Sequence, residues 1–401
     1  MKHIDNMLLL NKMAIEREKM GYDVINGTIG MFYLDNGKLP TNKLIRETLS
    51  RHINDEDFIY SSIPGEEKYR TLLLKWFFDD EFDDLIEANE LKNIATVGGT
   101  GAISIATTVE NKLNKNNIYY FPTPGWPNYC GVANTQQIEY IAYPLFKNGK
   151  FALNDLLNSI KTNLNKNRYI TLVINDPCHN PTGYNLKAEE WDEILKLIKD
   201  NEKRISIILD CAYIDFAEKK NRDLLVNFAK NAMKYAHVYI SLSCSKTFSF
   251  YGLRLGELIL LYHKQDELAE MQEEAVKTAR CFWSNTSHMG MNAVGEILSN
   301  EETRDELRTE INNAKEIVNK RKEIFIKEAN EVDLEYLPYE KGFFISLPVN
   351  DAYELSEKLI EKEIYLAPVG ENILRVALCS ISTNKLYGLA NKIKEEIDGK
   401  K

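Results

Sequence analysis

The chain has 401 residues, 44% hydrophobic and 27% charged, with a formal charge of −10; it is long enough for two or three domains around a sizeable core. The acidic balance, with no concentrated basic patch, argues against nucleic acid or an anionic membrane as a partner. Six cysteines without CxxC or Cys/His spacing fit reduced thiols and no metal site, and the run Met7 to Leu10 is too short for a signal peptide or a span, so a cytoplasmic protein is expected.

Taken in chain order, the first forty or so residues are expected to pack with a small unit formed by the C-terminus. Val97-Gly98-Gly99-Thr100-Gly101 then leads into a helical pattern with Ala102, Ile105, Ala106, Val109 and Leu113 on one face. A glycine turn opening a helix offers free backbone N–H groups and a positive dipole end to an anion, though the same turn also serves as a plain tight connection. No Gly-Lys-Ser/Thr follows and no GxGxxG is present, which speaks against a nucleotide fold.

Five apolar runs come next: Asn117 to Phe121, Tyr169 to Ile174, Ile205 to Leu209, Val238 to Leu242 and Leu258 to Tyr262. Rich in β-branched and aromatic residues and nearly continuous, they predict strands buried on both faces of a mostly parallel sheet. Four of them run into polar or aromatic clusters: Pro122-Thr-Pro-Gly-Trp126, Asn175-Asp-Pro-Cys-His-Asn180, Asp210-Cys-Ala-Tyr213 and Ser243-Cys-Ser-Lys246. Such clusters would lie at the carboxyl ends of parallel strands, where open α/β sheets bind ligands. From about 302 to 332, Leu307, Ile311, Ala314, Ile317 and Val318 predict a long amphipathic helix bridging to a smaller α/β domain with strands near Gly342 to Leu347 and Leu374 to Leu378.

Lys246 is the informative residue. Its amine can hold an aldehyde as a Schiff base, and Arg254 with nearby hydroxyls can hold a phosphate; alone, it would read as a surface lysine. Asp210 ends an apolar run, where a carboxylate either caps a turn or meets a cation such as a protonated pyridine. Trp126 offers a face for stacking or belongs to the core.

Gly98-Gly-Thr-Gly101, Trp126-Pro-Asn128, Asn180-Pro-Thr-Gly183, Asp210-x-Ala-Tyr213 and Ser243-x-x-Lys246 with Arg254 together resemble the class I, fold type I aminotransferases that use pyridoxal 5'-phosphate. The likeness runs from Asn26-Gly-Thr-Ile-Gly30 to Arg375 and implies an N-terminal segment (1–42), a large cofactor-binding domain (43–305) and a small C-terminal domain (306–401). It implies Lys246 as the Schiff-base and proton-transfer lysine, Asp210 at the ring nitrogen, and Asn180 and Tyr213 at the ring hydroxyl. Trp126 would stack on the ring, and Gly99, Thr100, Ser243 and Arg254 would hold the phosphate, joined by Tyr60 from a neighbouring subunit. Arg375 would bind the substrate α-carboxylate beside Gly30, Trp126 and Asn180.

Arg280, five residues before Asn285, is spaced as in the aspartate and aromatic branch, where this arginine binds a distal carboxylate across a homodimer with shared active sites. The resemblance therefore implies ping-pong transfer between an L-amino acid, aspartate favoured and aromatic possible, and a 2-oxo acid, 2-oxoglutarate. Tyr129 and Asn175 depart from the branch, which has histidines supporting Asp210 there, and Asn285-Thr-Ser-His288 replaces a proline-containing version. The rival readings are an aromatic aminotransferase, a C–S β-lyase, which has no need of the Arg280 clamp, and a cofactor-binding regulator, which would need a DNA-binding domain.

Overall fold

The structure is a computed structural model that describes residues 6–40 and 43–399; residues 41 and 42, at the expected end of the N-terminal segment, lie outside the described residues. Its strands are, in chain order, β1 (Ile25–Gly27), β2 (Leu91–Thr96), β3 (Asn117–Thr123), β4 (Tyr140–Pro144), the hairpin β5 (Phe146–Lys147) and β6 (Lys150–Phe151), and β7 (Tyr169–Asn175). There follow β8 (Ile205–Asp210), β9 (Val238–Ser243), β10 (Gly256–Leu261), β11 (Phe344–Pro348), β12 (Ile364–Pro368) and β13 (Ile373–Ala377).

A seven-stranded sheet has the order β2-β10-β9-β8-β7-β3-β4. Strands β4, β3, β7, β8 and β9 are mutually parallel, and every residue of β7 to β10 is buried. Helices cover both faces of such a sheet, so the strands are mostly apolar along their length, with single buried polar residues such as Thr171, Ser206 and Glu257 within them. The run at 258–262 looks like the others in sequence, but β10 pairs antiparallel with both β2 and β9. Hydrophobic continuity reports burial on two faces and carries no information about strand direction.

The helix Gly98–Leu113 differs from the expectation of one buried face, since Ile103, Thr107 and Glu110 are buried as well. The helix Gln265–Phe282 packs along its outer side and, through Leu268, Met271, Ala275 and Ala279, joins the same core. No helix among the described residues is long and apolar enough to cross a membrane.

A second sheet, β1-β12-β13-β11, combines one strand from near the N-terminus with three from the C-terminal third. The helix Glu301–Glu331 links the two cores. Its Leu307 and Ile311 belong to the core of the large sheet, while Phe325 and Ala329 belong to that of the small one. Between them Val318 packs with Phe32, Tyr213, Phe343 and Phe344, directly beside the cluster at the strand ends.

Arg321, fully buried on this helix, is what fixes the segment after β1. Its guanidinium donates to the carbonyls of Tyr33 and Cys379 at 2.8 Å each and to Asp35 Oδ1 at 2.8 Å. One side chain thus ties residues 33–35 to the end of β13, and it positions the adjoining Gly30 against Lys246. A planar fork makes these bonds where the single ammonium of lysine could not. Arg321→Met removes the clamp's bonds to Tyr33, Cys379 and Asp35, the last two of which keep donors in the Tyr33 N–H and in Thr383, and should cost on the order of 2 kcal/mol, read as a lower midpoint in denaturant unfolding. Arg321→Lys should recover only part of it, and a wild-type midpoint in Arg321→Met would show that the clamp contributes nothing.

Candidate active site

The carboxyl ends of β7, β8 and β9 are in register, with Asn175 beside Asp210 and Asp210 beside Ser241. This alignment brings together clusters that are far apart in the chain. Lys246 lies on the short helix Cys244–Thr247 that follows β9 directly. Its Nζ donates to the Gly30 carbonyl at 2.6 Å and lies 5.0 Å and 5.6 Å from the ring centres of Tyr251 and Tyr213. Burial, the largest influence, disfavours the charged amine, and Arg375 and Arg254 act in the same direction against Cys379 and Asp210, so Lys246 falls from 10.5 to about 8. At pH 7 roughly a tenth of such an amine is neutral, against fewer than one in a thousand for an ordinary lysine.

Asp210 is buried at the end of β8. Its Oδ2 accepts from the Tyr129 hydroxyl at 2.5 Å and its Oδ1 from the Ala212 N–H at 3.3 Å. Burial raises it from 3.8 to about 6, offset in part by Tyr129, Ala212 and Lys246. A carboxylate so placed gains from a cation in contact with it. Asn175, the other position without the branch's histidine, donates through Nδ2 to the Asp210 carbonyl at 2.8 Å and accepts the Asn180 N–H at 2.7 Å.

Asn180 continues this chain of bonds, its Oδ1 accepting from Arg375 Nη1 at 3.4 Å. Arg375 is itself buried, with Nη2 bonded to the Thr28 carbonyl and 2.8 Å from Met7 Sδ. Its guanidinium lies 4.4 Å from the centre of the Phe344 ring, and its Nε has no partner among the described residues. Among the described residues no carboxylate pairs with it. A guanidinium held this way matches an incoming carboxylate.

The glycines of 98–101 open their helix with Gly98 at φ 66°. A Cβ on Gly98 would lie 2.8 Å from Arg254 Nη2, and one on Gly99 would lie 3.3 Å from Ser243 Cβ. The helix N-terminus, Ser243 and Arg254 therefore line one concavity that a larger residue would fill. Arg254 donates to Ser245 Oγ at 3.1 Å and to the Tyr251 carbonyl at 3.2 Å, and it makes no ion pair among the described residues. Thr100 follows in the first turn, and Trp126 packs edge-on against Tyr129 at 5.3 Å.

Pyridoxal phosphate has an aldehyde, a basic ring nitrogen and a phosphate. Set against them here are a half-buried lysine of lowered pKa, a buried carboxylate in want of a cation, and a glycine cradle beside an arginine. The residues present fit the group. Two expected members are placed elsewhere: Tyr60 is 90% exposed and Arg280 is exposed near the end of its helix, and neither bonds to Lys246, Asp210 or Arg375 within the one chain. Tyr251, Thr28, Ser245 and Met7 also reach the site, and no motif in the sequence assigns them a role. Ser245 adjoins Lys246 and could have been included on proximity, whereas the other three reach the site through contacts that only folding creates.

The family described as aminotransferase class I and II matches residues 22–393. The aromatic-amino-acid aminotransferase of Escherichia coli K12 is 24% identical over 350 residues, covering 84% of this chain and 85% of its own length. The aspartate aminotransferase of Pseudomonas aeruginosa is 27% identical over 288 residues, covering 70% and 69%. The crystal structure of an aminotransferase from Anaerococcus prevotii matches with a TM-score of 0.88 at 26% identity, covering 99% of this chain and 97% of that one. With the match spanning both sheets and carrying Lys246, Asp210, Arg254 and Arg375, the chain belongs to the class I and II aminotransferases and is a pyridoxal-phosphate-dependent aminotransferase.

Proposed function

We propose that the chain transfers an amino group between an L-amino acid and 2-oxoglutarate in two half-reactions, with aspartate the favoured donor and aromatic amino acids a second class. The observation that carries this reading is Arg375, a buried guanidinium with, among the described residues, an unbonded Nε and no paired carboxylate, joined to Asp210 through Asn180 and Asn175. Gly99, Thr100, Ser243 and Arg254 would hold the cofactor phosphate, Asp210 the ring nitrogen, Asn180 and Tyr213 the ring hydroxyl, and Trp126 the ring face. Once bound, pyridoxal phosphate supplies an aldehyde that condenses with amines and a protonated ring that withdraws electrons from the substrate Cα.

The protein's part is orientation and proton transfer. Arg375 forks onto the α-carboxylate beside Gly30 and fixes which bond at Cα faces the cleft. Lys246 Nζ, a base of lowered pKa, takes the Cα proton and returns it on the other side of the exchange. Asp210 keeps the ring nitrogen protonated while this happens.

Arg280 is the proposed clamp for a distal carboxylate, offered to the active site of a second copy. In support, Asn285 Nδ2 donates to the Ser61 carbonyl at 2.5 Å, which joins the loop after Arg280 to the loop carrying Tyr60. Around them Phe58, Ile59 and Phe282 are exposed, an apolar surface suited to a self-complementary contact. Relatives named for aspartate and for aromatic amino acids stand at similar distance from this chain. The aromatic reading is favoured by Met7 against Arg375, with Leu8 and Leu9 exposed next to it, since this helix start brings apolar surface to the substrate end. A β-lyase would have no use for Arg280.

Lys246→Ala should lose the bound cofactor's absorbance near the visible edge and on the order of 10³ or more in turnover; normal turnover in this variant would refute the role of the lysine. Because Arg375 is one of the cations lowering Lys246, Arg375→Gln should move that amine above about 8, toward 10.5. The pH dependence of cofactor recombination with apoenzyme would then shift to the alkaline side, and an unshifted profile counts against the coupling. A donor panel with 2-oxoglutarate, comparing aspartate, tyrosine, phenylalanine, alanine and kynurenine, tests the substrate. Arg280→Ala should abolish aspartate turnover and spare the aromatic donors, whereas equal losses for both would remove the clamp.

A further inference from the structure

Resting on the assignment of Asp210 above, we propose that Tyr129 is a positioning residue whose hydroxyl keeps the Asp210 carboxylate ionised and in one orientation for the cofactor. The hydroxyl donates to Oδ2 at 2.5 Å, and it is the one donor to that oxygen among the described residues. The other carboxylate oxygen receives only the longer bond from the Ala212 N–H at 3.3 Å. A buried carboxylate with two donors loses much of its solvation when one is removed.

The position of Tyr129 is fixed by its neighbours. It lies in the first turn of the helix Asn128–Thr135, fully buried, with Trp126 edge-on at 5.3 Å and Phe121 at 6.0 Å. Aromatic walls on two sides hold the ring, so the hydroxyl has a constant direction. Trp126 shares that packing, which couples the residue proposed for the ring face to the one that supports the ring nitrogen.

Asp210 faces several titratable groups besides Tyr129. Burial holds Tyr119, Tyr213 and Cys211 above their ordinary values, and so out of the neutral range. Lys246 stands at about 8 and governs the alkaline side. In the apoenzyme Asp210 stands at about 6, raised by burial and lowered by Tyr129, Ala212 and Lys246. Cofactor affinity should therefore fall on the acid side as this carboxylate takes up a proton. Without Tyr129 one lowering influence is gone, so the acid limb should move to higher pH.

The test titrates apoenzyme with pyridoxal phosphate from about pH 5 to 9, following tryptophan fluorescence, and compares kcat with KM for the loaded enzyme. Tyr129→Phe should bind the cofactor about tenfold more weakly at neutral pH, with its acid limb shifted upward and kcat reduced more than KM. Tyr129→His, which returns an N–H donor, should recover most of the affinity. Replacement of Tyr129 by 3-fluorotyrosine, a stronger donor of nearly the same shape, should move the acid limb downward.

Wild-type affinity with an unmoved acid limb in Tyr129→Phe overturns the proposal. So does weaker binding with an unmoved limb and no recovery in Tyr129→His, the pattern of a purely structural side chain. Should Tyr129→Phe fail to fold, the fluorotyrosine protein decides by the same limb. Asp210→Asn separates the two claims: wild-type cofactor affinity there removes the assignment of Asp210 itself, while weakened binding there beside an unaltered Tyr129→Phe removes only the role of Tyr129.

Discussion

Three cations, Lys246, Arg254 and Arg375, converge on a cleft where, among the described residues, one buried carboxylate, Asp210, is close enough to act on the lysine. In a partly desolvated site such an imbalance costs free energy unless anions complete it. The required anions are of two kinds and at two places: a phosphate where glycine N–H groups and Arg254 meet, and a carboxylate where Arg375 forks. Burial is the main cause that lowers Lys246, and the positive charge of both arginines adds to it. The arginines that await the ligand's anions therefore also contribute to the lowered basicity of the lysine.

The scaffold makes this arrangement affordable by aligning strand ends. Asn175, Asp210 and Ser241 lie side by side on β7, β8 and β9, so three loops leave the sheet at one level. A second constraint comes from the small sheet, which delivers Arg375 on β13 opposite Ser346 on β11. Arg321 then ties both contributions to the segment that presents Gly30. Moving any of these elements by a few ångströms would separate the lysine from the carboxylate-binding arginine.

Much of this was legible in the sequence, for a definable reason. Asp210, Asn180 and Lys246 each follow an apolar run directly, and in a parallel sheet such positions converge whatever the connections between them. What could not be read was pairing across long separations. Tyr129 stands where the branch has a histidine and looked like a loss of support for Asp210, yet its hydroxyl bonds the carboxylate from 81 residues away. Arg321 stands among many charged residues in its helix, and nothing in the sequence there distinguishes it, yet it is fully buried. The direction of β10 was invisible because an antiparallel strand between two others is as apolar as a parallel one, and β1, with three residues, is too short to give a periodic signal.

Asp210 and Lys246 show how one cleft serves both an acid and a base function. Burial alone acts on both, raising the carboxyl and lowering the amine, and left unopposed it would bring the two together until the proton passed from one to the other. The hydroxyl of Tyr129 and the N–H of Ala212 counter this on the carboxyl side and hold it at about 6, while the lysine rests at about 8. Between those values the carboxylate is ionised and a usable fraction of the amine is neutral, which is the combination that a protonated ring and a proton-accepting lysine both need. In the apoenzyme, two hydrogen bonds to one carboxylate, together with Lys246, therefore oppose burial and extend to lower pH the range in which the site can receive a ring cation.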